Sequence, residues 1–308
     1  MDLRPASEGV GDVFELKTVG ARHPGRYSRG AGLPGPILVP KALSADDQLQ
    51  TFDYGGGTLV DEIGGQGSDH HIVFLHGWGS NRESLRGVAT LFENLYLVHL
   101  LDLPGFGDAP VPPDDWDTTK YADLIEQYLK CELSGSVILV GHSFGGRVAL
   151  RLAARRVPTV RSLVLMAVPG LPLPRWSRRR LRASAIRALR RTLTLISPML
   201  GSGPINWHTR TFGSKDYLSA GTMRSVFVRA VNEDLTDTAR AVACPTLLLW
   251  GAEDGETPVW LATRFRQLIA GPTTLEILPH KDHYLYTSTG AHLCAFKIRQ
   301  WLDGHVDR

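Results

Sequence analysis

The chain has 308 residues, 43% of them hydrophobic and 21% charged, with a formal net charge of +3 at pH 7. That length is ample for a sizeable core, the composition is that of a globular protein, and a charge so near balance gives no reason to expect a nucleic-acid partner. No stretch approaches the ~20 apolar residues that cross a bilayer. Three widely spaced cysteines, Cys131, Cys244 and Cys294, form no metal-type spacing and read as reduced thiols of a cytoplasmic protein.

Residues 1–45 are rich in Gly, Pro and Arg and begin Met1-Asp2-Leu3-Arg4-Pro5, without the apolar core of a signal peptide. A flexible N-terminal extension is expected there, with at most a short strand near Val13–Thr18. Gln50–Tyr54 and Thr58–Ile63, joined by Gly55-Gly56-Gly57, read as a hairpin. From residue 70 the pattern alternates. Strands are predicted at His71–Leu75, Leu95–Leu101, Val137–Val140, Ser162–Ala167, Thr246–Trp250 and Thr274–Leu278. Helices are predicted at Asn81–Asn94, Thr118–Leu133, Phe144–Arg156, Pro258–Ile269 and Ala291–Leu302. Several strands are unbroken apolar runs, as when helices cover both faces of a parallel sheet. The fold class is therefore α/β, a doubly wound and mostly parallel sheet whose ligands bind beyond the C-terminal strand ends. Residues 46–169 and 239–308 make its core. Residues 170–238 interrupt the alternation with helical pattern alone and are expected to form an inserted helical cap.

The strand ends carry the chemistry. Val140-Gly141-His142-Ser143-Phe144-Gly145-Gly146 sets Gly-x-Ser-x-Gly between a strand and a helix, the context that gives this motif meaning. Its tight turn holds Ser143 exposed in a strained conformation, and His142 reads as a structural residue buried in the turn. A serine hydroxyl needs a base, and the base needs an orienting acid. Asp254 follows the strand ending at Trp250, with Glu253 and Glu256 as competitors on the same loop. His283 follows the last strand, with His280 as rival. An oxyanion needs two donors. The N–H of Phe144 is one, and Trp78, between Gly77 and Gly79, is placed to give the other.

These residues resemble the α/β-hydrolase superfamily, in its esterase- and lipase-like branch with a helical cap. The resemblance rests on four matches in order: His76-Gly77-Trp78-Gly79, Asp102-Leu103-Pro104-Gly105-Phe106-Gly107, Gly141 to Gly146, and Trp250-Gly251 through Asp254 to Pro258. It covers about residues 50–303. It implies a catalytic triad of Ser143, Asp254 and His283, an oxyanion hole at Trp78 and Phe144, and no metal or other cofactor. The spacing from Pro279 selects His283, although Asp282 stands where relatives carry Gly and is a competitor for the imidazole. Serine in place of an aspartate nucleophile argues against dehalogenase and epoxide-hydrolase chemistry. A carboxylesterase acting on a small-molecule ester is the implied function. An amidase, thioesterase or lactonase with the same triad, and a catalytically silent binding protein of the same fold, remain the alternatives.

Residues 175–191 hold eight arginines and no acid, with Leu181, Ala185, Ile186 and Leu189 at helical spacing. Three readings of this basic amphipathic helix stay open: a solvated face, a peripheral contact with an anionic membrane or lipid-like substrate, and recognition of an anionic ester entering under the cap. Trp78, Phe106, Phe144 and Trp176 suggest an apolar mouth to the site.

Overall fold

The computed structural model describes residues 49–66, 69–112, 116–172, 178–200, 203–204, 207 and 215–305. The N-terminal extension, the strand expected near Val13–Thr18, and Trp176 lie outside the described residues. The chain opens with a hairpin, β1 (Leu49–Tyr54) and β2 (Gly57–Gly64), turning through Gly55-Gly56, both at positive φ. The alternating part follows as β3 (His70–Leu75), α1 (Glu83–Ala89), β4 (Leu97–Asp102), α2 (Thr118–Glu132), β5 (Ser136–His142), α3 (Ser143–Ala154) and β6 (Val160–Met166). Helices α4 (Arg178–Leu200), α5 (Lys215–Ser219), α6 (Arg224–Asn232) and α7 (Thr236–Ala241) come next. The chain then returns to the sheet with β7 (Thr246–Gly251), α8 (Val259–Leu268), β8 (Thr273–Leu278) and α9 (Gly290–His305).

One eight-stranded sheet results, in the order β1-β2-β4-β3-β5-β6-β7-β8. The hairpin joins β4 antiparallel and every later pairing is parallel. The period of two along each strand explains the two cores. Val73 and Leu75 of β3, Leu139 of β5, Leu165 of β6 and Trp250 of β7 face the layer of α2, α3 and α8. Their neighbours Ile72, Phe74, Val140, Met166 and Leu249 face α1 and α9. Both faces are dry, so Ile72–Leu75, Val137–Val140 and Leu247–Trp250 are apolar at every position.

Register then sets the working edge. Leu75 lies opposite Gly141, so β3 and β5 end level. Gly251 lies opposite Leu278, so β7 and β8 end level. Four loops thus leave one side of the sheet.

The helix expected over 81–94 is shorter. It runs over Glu83–Ala89 and tightens into a 3₁₀ turn at Thr90–Phe92. The amides of Leu95 and Tyr96 both close on the Phe92 carbonyl, which turns the chain into β4.

A buried polar chain pins the hairpin side. Asp61 Oδ2 on β2 accepts from His99 Nδ1 on β4 (2.8 Å) and from the Tyr128 hydroxyl on α2 (2.5 Å). His99 Nε2 lies 2.9 Å from His71 Nδ1 on β3, and His71 Nε2 lies 2.7 Å from the Ser134 carbonyl.

Between β6 and β7 every described element is helical. Met223, Val226 and Ala230, then Leu235, Ala239 and Val242, join the core. Glu233 fastens this stretch further by accepting from the Thr118 amide (3.1 Å) and hydroxyl (2.6 Å). Helix α4 is different, for Leu189 and Leu195 on it are exposed.

Candidate active site

The end of β5 turns into α3 at Ser143, whose φ is +47°, in the left-handed region that a side chain ordinarily avoids. Close packing enforces this turn. The Gly145 amide donates to the His76 carbonyl at 2.9 Å, and a Cβ on Gly145 would stand 2.2 Å from the Leu75 carbonyl oxygen. Ser143 is thereby held at the N-terminus of α3, where the first four amides have no partner inside the helix. The Phe144 amide is one of them.

The loop after β3 lies against this elbow. A Cβ on Gly77 would come within 2.7 Å of His142 Nδ1 and 3.6 Å of Ser143 Cβ. His76 fixes the loop. It is fully buried, and burial lowers its pKa to about 4, so the ring is neutral. Its Nδ1–H donates to the Gly77 carbonyl (2.8 Å), and its Nε2 accepts from the Leu103 amide (3.2 Å). The loop after β4 is locked in turn by buried Asp102, which accepts from the amides of Arg82 (2.7 Å) and Asp108 (2.9 Å) and from the Arg82 guanidinium. Trp78 sits in the loop held by His76. Its ring packs on Phe106 (4.9 Å between centroids), Phe144 (5.3 Å) and Phe227 of α6 (5.0 Å). A cleft of about 490 Å³ opens beside it, with Phe106 and Met223 in its walls.

The loops after β7 and β8 bring Asp254 and His283 together. His283 Nδ1 is 3.0 Å from Asp254 Oδ2, and both residues are buried. A carboxylate only accepts, so Nδ1 carries the hydrogen and Nε2 the free lone pair. Asp254 accepts three further bonds: from the Thr257 hydroxyl (2.5 Å), the Thr257 amide (2.7 Å) and the Glu256 amide (2.8 Å). Burial pushes its pKa up, but the bonds from His283 and Thr257 outweigh it and hold the carboxyl below its usual range. Thr257 is itself anchored, because its carbonyl accepts from the buried indole of Trp250 at 2.6 Å.

The rivals fall elsewhere. Glu253 pairs with exposed His280 at 3.2 Å. Asp282 does not compete for the imidazole, for its carboxylate accepts from the Tyr284 amide (2.9 Å) in a local turn. Glu256 stands on the other side of His283, with Oε2 3.6 Å from Nε2.

His142 links the elbow to His283. Its Nε2–H donates to the His283 carbonyl at 3.0 Å, and its ring lies 4.9 Å from that of His283. Burial, then the neighbouring His283, lowers its pKa to about 3 and keeps it neutral. The contacts of Thr257 and His142 with Asp254 and His283 escape sequence reasoning. A hydroxyl three residues after an acid is common, and its bridging role exists only once the loop closes.

Comparison with known proteins agrees with this fold. The alpha/beta hydrolase family model matches residues 72–295. Pimeloyl-[acyl-carrier protein] methyl ester esterase of Chromobacterium violaceum is 33% identical over 228 residues, which are 66% of this chain and 84% of that one. A solved membrane phospholipase A, described as a bacterial virulence factor, superposes with a TM-score of 0.66 at 22% identity, over 84% of this chain and 87% of its own. A thermophilic esterase from Thermogutta terrifontis gives a TM-score of 0.60 at 21% identity, over 83% and 98% of the two chains. At these identities the structures speak for the fold alone. The family match, which runs from β3 into α9 and takes in the elbow and both partner loops, establishes that the chain belongs to the alpha/beta hydrolase family.

Proposed function

We propose that the protein is a serine hydrolase that cleaves a carboxylic ester through an acyl-enzyme. The observation that carries this reading is the buried His283–Asp254 pair at the sheet edge where the elbow strains Ser143 outward. His283 Nε2 takes the hydroxyl proton as Ser143 Oγ attacks the ester carbonyl. The amides of Trp78 and Phe144 hold the oxyanion, and each such donor is worth roughly two to three orders of magnitude in rate. Protonated His283, stabilised by Asp254, gives its proton to the departing alcohol. A water then attacks the acyl carbon, with His283 again as base, and the acid is released with Ser143 restored.

The helices between β6 and β7 act in this reading as a cap. Support comes from Phe227 against Trp78, and from Met223, whose Cε fills the place a Cβ on Gly105 would take, 2.4 Å away. Arginine-rich α4, with Arg190 and Arg191 exposed, is the surface we assign to an anionic or lipid-like substrate or to peripheral contact with an anionic membrane. The relative from Chromobacterium violaceum is named for a pimeloyl-[acyl-carrier protein] methyl ester, so a methyl ester on a carrier-bound acyl chain is one candidate. The three free thiols, Cys131, Cys244 and Cys294, accord with a cytoplasmic setting.

The test is hydrolysis of p-nitrophenyl esters from acetate to dodecanoate by the wild type and by Ser143→Ala. We expect turnover by the wild type, its abolition in the variant, and a chain-length optimum that sizes the cleft beside Trp78. Equal rates in the two proteins would overturn the assignment.

A further inference from the structure

The ester-hydrolase reading fixes where the alcohol of the substrate must lie. Its oxygen receives the proton from His283 Nε2 and so comes within about 3 Å of that atom. Glu256 Oε2 is 3.6 Å from the same nitrogen. The first carbons of the alcohol therefore pass beside a carboxylate.

The backbone that carries this carboxylate is fixed, and the side chain itself is more than half exposed. The Glu256 amide donates to Asp254 Oδ1, the next residue is tied to Asp254 through both amide and hydroxyl, and Pro258 stiffens the chain beyond. Among the described residues no lysine or arginine pairs with Glu256. Tyr284 stands alongside, its ring 5.3 Å from that of His283 and edge-on to it, and the residue is 46% exposed. Burial, then Glu256 and Asp216, hold its phenol above the ordinary range, as expected where the local potential is negative. A carboxylate next to an accessible aromatic ring is the surrounding that an organic cation prefers.

We infer that Glu256, assisted by Tyr284, is a specificity-determining residue that favours esters whose alcohol carries a positive charge over neutral esters of the same shape. The inference rests on the ester-hydrolase reading and adds the charge class of the leaving group. It leaves the acyl side of the substrate to separate determinants.

Acetylcholine and 3,3-dimethylbutyl acetate make the test, since they differ by one quaternary nitrogen in place of carbon. Both are assayed on one preparation at low salt, so a general loss of activity or folding cancels in the ratio of kcat/KM. In the wild type the cationic ester should lead. In Glu256→Gln that preference should fall about 3- to 10-fold, the scale of a half-exposed charge pair with a cation–π contact. Raising the salt to about 0.5 M should erode it in the wild type only. Tyr284→Leu should lower it less. The same ratio in wild type and Glu256→Gln overturns the inference, as does turnover of p-nitrophenyl butyrate with neither of the paired esters accepted. Failure to hydrolyse p-nitrophenyl butyrate as well is a different result, which removes the ester-hydrolase reading itself.

Discussion

Asp254 receives four hydrogen bonds, and only one of them comes from the residue it serves. The other three, from Thr257 and the Glu256 amide, keep it ionised and aimed, so that the tautomer of His283 is set before any substrate arrives. Asp254→Asn keeps the shape but presents an amide that can donate to Nδ1 and leave the wrong nitrogen protonated. It should lower kcat by roughly three to four orders of magnitude with KM little changed. Thr257→Val removes a hydrogen bond to a buried charge. It should cost about 1.5–3 kcal/mol in urea unfolding and also reduce kcat. Ser143, Asp254 and His283 stand out as candidates in the sequence because each follows a strand at a recognisable spacing. Nothing in the sequence distinguishes Thr257 from any other threonine ahead of a proline. Nor does the sequence tell that Glu256, which looks like a substitute for Asp254, lies on the opposite side of the imidazole.

Among the elements, β3, β5 and β7 were the most legible, because strands covered on both faces must be apolar throughout. Helix α1 is shorter than its sequence pattern predicts. Its apolar spacing continues to Phe92, but the last turn closes as 3₁₀ so that β4 can begin. The Asp61–His99–His71 chain left no mark on the sequence at all, since its members come from three strands that meet only in the folded sheet. Asp61→Ala would remove the acceptor that His99 Nδ1 and the Tyr128 hydroxyl share and leave the two, 2.9 Å apart, with only each other in a dry interior. It should cost about 1–3 kcal/mol, read as a lower urea midpoint at unchanged m-value. Tyr128→Phe, which removes one donor and leaves the Asp61–His99 contact, should cost only about 1 kcal/mol.

For the whole molecule the two neutral histidines around the elbow set the acid limit. His76 and His142 are held at about 4 and about 3 when folded, against about 6.5 when exposed. Between those values the unfolded chain binds more protons than the folded one, so stability rises with pH across that window. It is undiminished above pH ~6.5 and declines as the pH falls toward 4 and then 3, by up to about 1.4 kcal/mol per pH unit for each ring. Melting temperatures measured from pH 7.5 down to 4.5 should decrease steadily below 6.5. A flat profile over that range would show that these rings are not neutral in the folded protein.

The order of the strands has one more consequence. Ser143, Trp78 and Phe144 belong to the stretch before the inserted helices, and Asp254 and His283 to the stretch after them. The two stretches are zipped by the β6–β7 ladder, Leu163 to Met166 against Thr246 to Leu249. Ser143 and the Asp254–His283 pair are thus brought to one edge of the sheet by strand pairing rather than by continuity of the chain. Two co-expressed fragments, divided between α4 and α5, should find each other through that ladder and restore turnover that neither has alone, which makes the fold a natural candidate for a split reporter.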